Sequence, residues 1–371
     1  MTAQPELAAI PLRDVREGGT VRHAIEARER ARALRDDCLA WFPRGARHLV
    51  PTLDAITRRW LMRSGSPYVA EIATIAATLG FPGIWFLNGS YEWGCTALAR
   101  DDGVPWLART LDWPFPGLGR HVEVAHMAGV AGDFYSVTWP GFVGVLTATA
   151  PGRFAAAVNQ APLWRRTRHP WLRPYDIAVN AIATYPLRYI PPDQLLRQVF
   201  ETCASFDEAR TMLETTPIAR PVIYTLAGCA AGERCVIERI EESYATRTEN
   251  TGAANDWFVP AQPWEARVGG DLLFNCDYDA AGANSRVRCK ALAAWAAPFG
   301  NGFDWVVPPV LNAFTRIAAE MCPAKGVLRV VGYEKLSEDT LPQAVTMPCE
   351  ILHRRAGQHR DAALEHDVTH P

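Results

Sequence analysis

The stretch YEWGCTALARDDGVPWLARTLDW, residues 91–113, holds a thiol directly after a glycine, then Asp-Asp-Gly, then an arginine and an aspartate. Such residue types could make a nucleophile. A thiolate attacks carbonyl carbons, and a neighbouring guanidinium favours the thiolate over the thiol. A free thiol ionises near pH ~8.5, so even a modest depression makes it reactive at neutral pH. The Asp102-Gly103 pair between two apolar runs is a strong signal for a hairpin turn. Opposed residue numbers then sum to about 204 to 206, which sets Cys95 against residues 109–111. Arg109 falls beside the thiol and Asp112 one step past it. A regular strand points residues 109 and 112 to opposite faces. Both are expected to reach Cys95 only if the strand bulges or ends near Thr110.

The stretch offers no histidine as a base, although Cys and His can meet in space from distant positions. A second solution needs no histidine. Cleavage between Gly94 and Cys95 would place a new α-amino group, of pKa about 7.7 to 8.0, on the nucleophile's own residue. Asp112 would orient that amine, and Gly94, having no side chain, lets the scissile peptide bend for attack. The competing reading is a packing cysteine at a strand start, with Arg109 and Asp112 as a surface pair.

The elements that must carry these residues follow from periodicity. TVRHAIEARERARALRDDCLAWF predicts a helix capped by Thr20, and LVPTLDAITRRWLMRSG and PYVAEIATIAATLG predict two more, the last closed by Gly80. From Cys95 to about residue 162 short apolar runs alternate with Gly, Pro and Asp. CTALAR, PWLARTLDW, HVEVAHMAG, DFYSVTWPG, FVGVLTATA and RFAAAVNQA read as consecutive antiparallel strands. Residues 174–216 read as helical, with one long amphipathic run in PPDQLLRQVFETCASFDEARTMLETT. PVIYTLAG, RCVIERI and SYATRTE read as strands, and residues 286–297 as helix. Strands and helices in this order imply an α+β chain with sheets stacked between helical layers.

Bulk properties narrow the function classes. The chain has 371 residues, about half of them apolar, enough for one large or two average domains. With 38 basic against 40 acidic side chains, nothing points to nucleic acid or an anionic membrane surface. No run is long enough for a membrane span. The nine cysteines are an odd number without a CxxC pair, which argues against a disulfide framework and a zinc site, and no cofactor is expected. The start of the chain has no signal-peptide pattern, so the cytoplasm is the expected compartment.

NGSYEWGCTALARDDGVPWLARTLDW resembles the start of the mature β-subunit in the acid ceramidase and N-acylethanolamine acid amidase group. That group is related to the choloylglycine hydrolases and penicillin V acylases, all N-terminal nucleophile hydrolases. GFVGVLTATAPGRFAAAVNQ is similar to the group's segment that runs through a Pro-Gly turn to a functional asparagine, here Asn159. LLRQVFETCASFDEARTMLETTPIARPVIYTLAGCAAGERCVIER resembles its helix and strand pair, so the likeness covers roughly residues 65–292. Gln160 stands where members commonly carry Glu.

The resemblance implies an αββα sandwich of two mainly antiparallel sheets between helical layers. It also implies self-cleavage before Cys95 and hydrolysis of a linear amide through a thioester. Residues 1–94 would be a helical, propeptide-like segment retained after the cut, 95–351 the catalytic domain, and 352–371 a polar tail. Cys95 would be both autocatalytic residue and nucleophile, with Arg109 near the thiol, Asp112 holding the amine and Asn159 in the oxyanion hole. A second asparagine is expected at Asn255, with Asn275 as the alternative, and a late arginine at Arg286 or Arg288. The substrate expected is a small N-acyl amide with an apolar acyl part, guided by aromatics such as Trp93, Trp113 and Phe115, and no basic cluster is evident for an anionic head group. Assembly into a homo-oligomer stays open. So do an acyltransferase of the isopenicillin N acyltransferase type and an uncleaved binding protein.

Overall fold

The computed structural model describes residues 7–90, 93–267, 278–337 and 339–353. Five helices come first: α1 (Gly19–Glu26), α2 (Arg28–Trp41), α3 (Val50–Leu61), α4 (Val69–Leu79) and α5 (Ile84–Leu87). They follow a short strand, β1 (Leu12–Asp14), so the N-terminal segment is not wholly helical as expected. Nor does Thr20 cap the first helix. Gly18, in the left-handed region, occupies that position, and Thr20 instead bonds Glu71 on α4. The helix expected over 20–42 breaks into two at Ala27. Gly80 closes α4 with φ 70°, a conformation that costs glycine little.

The strands continue as β2 (Gly94–Asp101), β3 (Pro105–Asp112), β4 (Glu123–Gly129), β5 (Gly132–Thr138), β6 (Thr147–Ala150) and β7 (Phe154–Gln160). Only the second half of FVGVLTATA is strand, because Val143 and Val145 bond to Asn88 and to the Asp193 carbonyl rather than to a ladder. After β8 (Leu163–Trp164) come α6 (Arg173–Thr184), α7 (Pro192–Thr202) and α8 (Phe206–Thr215). The long amphipathic run thus divides in two at Ser205, whose hydroxyl accepts the Glu208 amide while Glu208 accepts the Ala204 amide. SFDE has the capping-box pattern in sequence, with Glu208 reaching back one residue beyond the cap.

The rest is β9 (Val222–Ala227), β10 (Arg234–Ile240), β11 (Ser243–Arg247), β12 (Gly252–Ala253), β13 (Trp264–Glu265), α9 (Tyr278–Ala293), β14 (Thr315–Cys322), β15 (Val327–Glu334), β16 (Gln343–Ala344) and β17 (Cys349–Leu352). β17 runs one residue into the expected tail, and residues 354–371 lie outside the described residues.

One sheet has the order β1-β4-β5-β6-β7-β9-β10-β11, and a second has β12-β2-β3-β14-β15-β16 with β17 also on β15. Apart from β1 on β4, their ladders are antiparallel. β2, β3 and β14 lie over β6, β7 and β9. α7 and α8 cover the first sheet, and α9 covers β2 and β12. The molecule is an α+β sandwich with the αββα layering that the resemblance implied.

The period-two alternation of strands separates the faces of the second sheet. Leu107, Leu111, Ile317, Ala319 and Met321 join the main core shared with the first sheet. Trp106, Ala108, Ala318 and Cys322 join another, with Leu292 of α9 and Trp305.

Candidate active site

The Asp-Gly turn fixes the β2–β3 register with Cys95 opposite Leu111 and Arg109 opposite Ala97. Alternation puts Arg109, with Leu107 and Leu111, on the inner face between the sheets. There its Nη2 donates to Cys95 Sγ at 2.8 Å and to the Val158 carbonyl at 3.1 Å, while Nη1 donates to Thr147 Oγ1. Arg109 has no exposed surface, and among the described residues no carboxylate pairs with it.

Asp112 belongs to the opposite face, and β3 runs straight through Thr110 to reach it. The irregularity expected near Thr110 lies on the neighbouring strand, where the β14 register shifts between Thr315 and Ile317. Asp112 is held by Asn312 Nδ2 at 2.8 Å and Thr315 Oγ1 at 2.9 Å, and pairs with Arg288 at 3.5 Å. Asp112 and Arg109 therefore approach Cys95 from opposite faces of one strand pair.

Arg288, on α9, is 2% exposed and donates to the Cys95 carbonyl (2.6 Å), Thr96 Oγ1 (2.8 Å) and Asn255 Oδ1 (3.0 Å). Asn255 Oδ1 also accepts the Cys95 backbone N–H at 2.7 Å, and its Nδ2 donates to the Gln160 carbonyl. Its own N–H donates to Ser285 Oγ, one helical turn before Arg288. Arg286 points elsewhere: it is half-exposed and lies 3.5 Å from Asp256. Asn275 lies outside the described residues.

Asn159 does not face the sulfur with a free donor. Its Nδ2 donates to the carbonyls of Ala253 (3.2 Å) and Ala254 (3.1 Å), which fixes the strand that presents Asn255. The Gln160 side chain accepts the Trp93 amide at 2.9 Å, two residues before the candidate scissile bond. Sequence reasoning missed Thr147, Ser285, Asn312 and Thr315 as supports. Only Ser285 had a local signal, its one-turn spacing from Arg288.

Burial pushes the Cys95 thiol up to about 11, against the Arg109 guanidinium, which lowers it; Asp112 raises it, and Arg288 and the Gln160 backbone N–H lower it. The depressed thiol expected from the sequence is thus reversed in the intact chain, because desolvation outweighs the cation beside it. Burial likewise pulls Arg288 down, opposed by Asp112 and Cys95.

No protein-family profile matches the chain. In sequence it is 28% identical over 201 residues to the N-acylethanolamine-hydrolyzing acid amidase of Oryctolagus cuniculus, covering 52% of this chain and 53% of that protein. It is 26% identical over 133 residues to the acid ceramidase of Homo sapiens, covering 34% of this chain and 30% of that one. The matches to these curated relatives therefore span about half of their length or less. Among solved structures, a Caenorhabditis elegans N-acylethanolamine-hydrolyzing acid amidase ortholog superimposes with TM-score 0.45 and 16% identity, over 62% of this chain and 93% of that chain. The chain resembles the acid amidase and acid ceramidase group in sequence.

Proposed function

We propose that the protein is a self-processing cysteine amidase that cleaves the carbon–nitrogen bond of a linear N-acyl amide. One observation carries the reading: Arg109 meets the sulfur of Cys95, while Asn255 and Arg288 hold the nitrogen and carbonyl of the same residue. A packing cysteine needs neither arrangement.

In maturation Cys95 Sγ attacks the Gly94 carbonyl carbon, the bond from that carbon to Cys95 N breaks, and the nitrogen leaves as the Cys95 α-amine. Water then hydrolyses the Gly94 thioester. In turnover the same sulfur attacks the substrate carbonyl carbon, and its proton passes by way of the α-amine to the departing amine. Water, deprotonated by the α-amine, resolves the acyl-thioester. Asn255 and Asp112 flank Gly94 already, with Asn255 Oδ1 and the Asp112 carboxylate 3.5 and 3.6 Å from where a Gly94 side-chain carbon would stand. A single side-chain carbon there would make only ordinary contacts with both groups, whereas a branched or long side chain would crowd them.

A small cavity of about 70 Å³, walled by Phe42, Val50, Leu87, Trp113, Phe115 and Leu118, offers an apolar lining beside the end of β3 with room for only a few carbons of an acyl part in the intact chain. The activity for which the amidase relatives are named, N-acylethanolamine hydrolysis, supports the same class. Residues 1–94 are expected to stay bound after the cut. Leu61, Ile72, Ile75 and Leu79 are buried in the shared core, and buried Glu123 on β4 pairs with Arg13, His23 and Arg30.

Intact-mass analysis with and without Cys95→Ala tests the proposal. Two fragments that co-purify and hydrolyse N-lauroyl ethanolamide are expected from the first, and one inert chain from the second. Amide hydrolysis by protein whose Gly94–Cys95 bond is whole would overturn it.

A further inference from the structure

Asp112 and Arg288, both almost wholly buried, stand 3.5 Å apart. A charge-assisted bond between a guanidinium and a carboxylate closes to about 2.8 Å, so this pair is held open. Bonds on both partners do the holding. Asp112 Oδ2 accepts Asn312 Nδ2 at 2.8 Å and Oδ1 accepts Thr315 Oγ1 at 2.9 Å, which fixes the carboxylate at both oxygens. Arg288 is fixed in turn by oxygens of Cys95, Thr96, Asn255 and Asn284, at 2.6, 2.8, 3.0 and 2.9 Å. The turn that carries Asn312 and Thr315 is itself braced. Asn312 Oδ1 accepts the Phe314 N–H at 3.0 Å, and Thr315 Oγ1 accepts the Asn312 N–H at 3.0 Å. The Phe314 carbonyl accepts the Trp113 N–H at 2.7 Å, which ties the turn to the residue after Asp112. It enters β14 at the register shift between Thr315 and Ile317, and Thr315 pairs opposite Asp112 there.

We infer that Asn312 and Thr315 are positioning residues: they keep Asp112 from closing onto Arg288 and so reserve its charge for the α-ammonium that cleavage creates at Cys95. The inference rests on the amidase reading and adds two residues to it. Gly94 lies opposite Asp112 in the β2–β3 ladder, and Asp112 Oδ2 is 3.6 Å from where a Gly94 side-chain carbon would stand. The Cys95 nitrogen already donates to Asn255 Oδ1 at 2.7 Å. Once released it has further hydrogens to offer, and a carboxylate held beside it favours the protonated form. The charged and titratable groups around Cys95 are Asp112 and Arg109 of β3, Arg288 of α9 and the thiol itself, while Arg316 of β14 acts on Asp112. β7 and β12 bring no charged side chain. Asp112 is the one carboxylate in this set, so the pKa of the amine reports where that carboxylate points.

The test reads the pH dependence of kcat/KM for N-lauroyl ethanolamide in processed protein. The amine acts as a base only when neutral, so kcat/KM rises with pH through its pKa. In Thr315→Val and in Asn312→Ala the carboxylate turns to Arg288, and this rise should move to lower pH by about one unit. Thr315→Ser, which keeps the hydroxyl, should restore the parent midpoint. An unmoved midpoint in both variants, or no restoration by serine, overturns the inference even if activity falls, because mere supports of the fold would lower the rate without moving the profile. A second measurement needs neither cleavage nor turnover. In the Cys95→Ala chain a double-mutant cycle on unfolding free energy gives the coupling between Asp112 and Arg288. That coupling should be larger in the Thr315→Val background than with Thr315 present, and an equal or smaller value overturns the inference. Processed protein without amide turnover would sink the amidase reading, and the coupling would still decide whether the clamp exists.

Discussion

Arg109 and Arg288 flank the same strand pair, both out of contact with water, and they are housed differently. Arg109 sits in the dry seam between the sheets with a thiol, a hydroxyl and a carbonyl as acceptors. Arg288 sits on the outer face with a carboxylate at 3.5 Å and four further oxygen acceptors, on Cys95, Thr96, Asn255 and Asn284. A buried cation without an anion is costly unless a neighbour can become one. The inner face therefore stores a bias toward ionising Cys95, while the outer face is already neutral and serves to fix the backbone nitrogen and carbonyl. One side tunes the sulfur, and the other holds the group that cleavage turns into an amine.

The sharpest way to break this comparison is to remove each cation in turn. Arg288→Met leaves Asp112 buried without its cation and should cost about 3 kcal/mol of unfolding free energy. That is the low end for a broken buried pair, since Asn312 and Thr315 still bond the carboxylate. Arg109→Met removes a cation that has no carboxylate partner among the described residues and should leave stability unchanged or raised. Denaturant midpoints of the two variants measure the contrast, and equal losses would show that the faces do not differ.

Thiol chemistry sharpens it further. With its pKa raised by burial, Cys95 in uncleaved protein should be protonated at neutral pH and gain reactivity as pH rises toward about 11. Cleavage admits water and removes part of that desolvation, so the mature thiol should titrate lower, which thiolate absorbance against pH would record. In Arg109→Met the thiol should titrate higher, and kcat/KM at neutral pH should fall about tenfold for every pH unit by which the titration midpoint rises. The smallest effect is expected from Arg286→Ala, whose side chain is half-exposed: within about 0.5 kcal/mol of stability and with full activity.

These outcomes also measure how far the sequence could be read. Local features were legible because short-range physics fixes them. The hairpin register followed from Asp102-Gly103, and the end of α4 from Gly80. β14 and β15 went unread, although they extend the sheet that carries the site, since their alternation says nothing about which strands they join. Asn255 and Asn275 were alike as loop asparagines in the sequence, and Arg286 and Arg288 as helix-start arginines.

By itself, then, the sequence determined that a thiol would lie beside Arg109, because a two-stranded hairpin closes on its own turn. Only the packing of α9 over the β2–β12 edge chose Arg288 over Arg286, since residues two apart on a helix face different ways. Only the stacking of one sheet on the other took the water away from Cys95 and reversed the expected direction of its pKa.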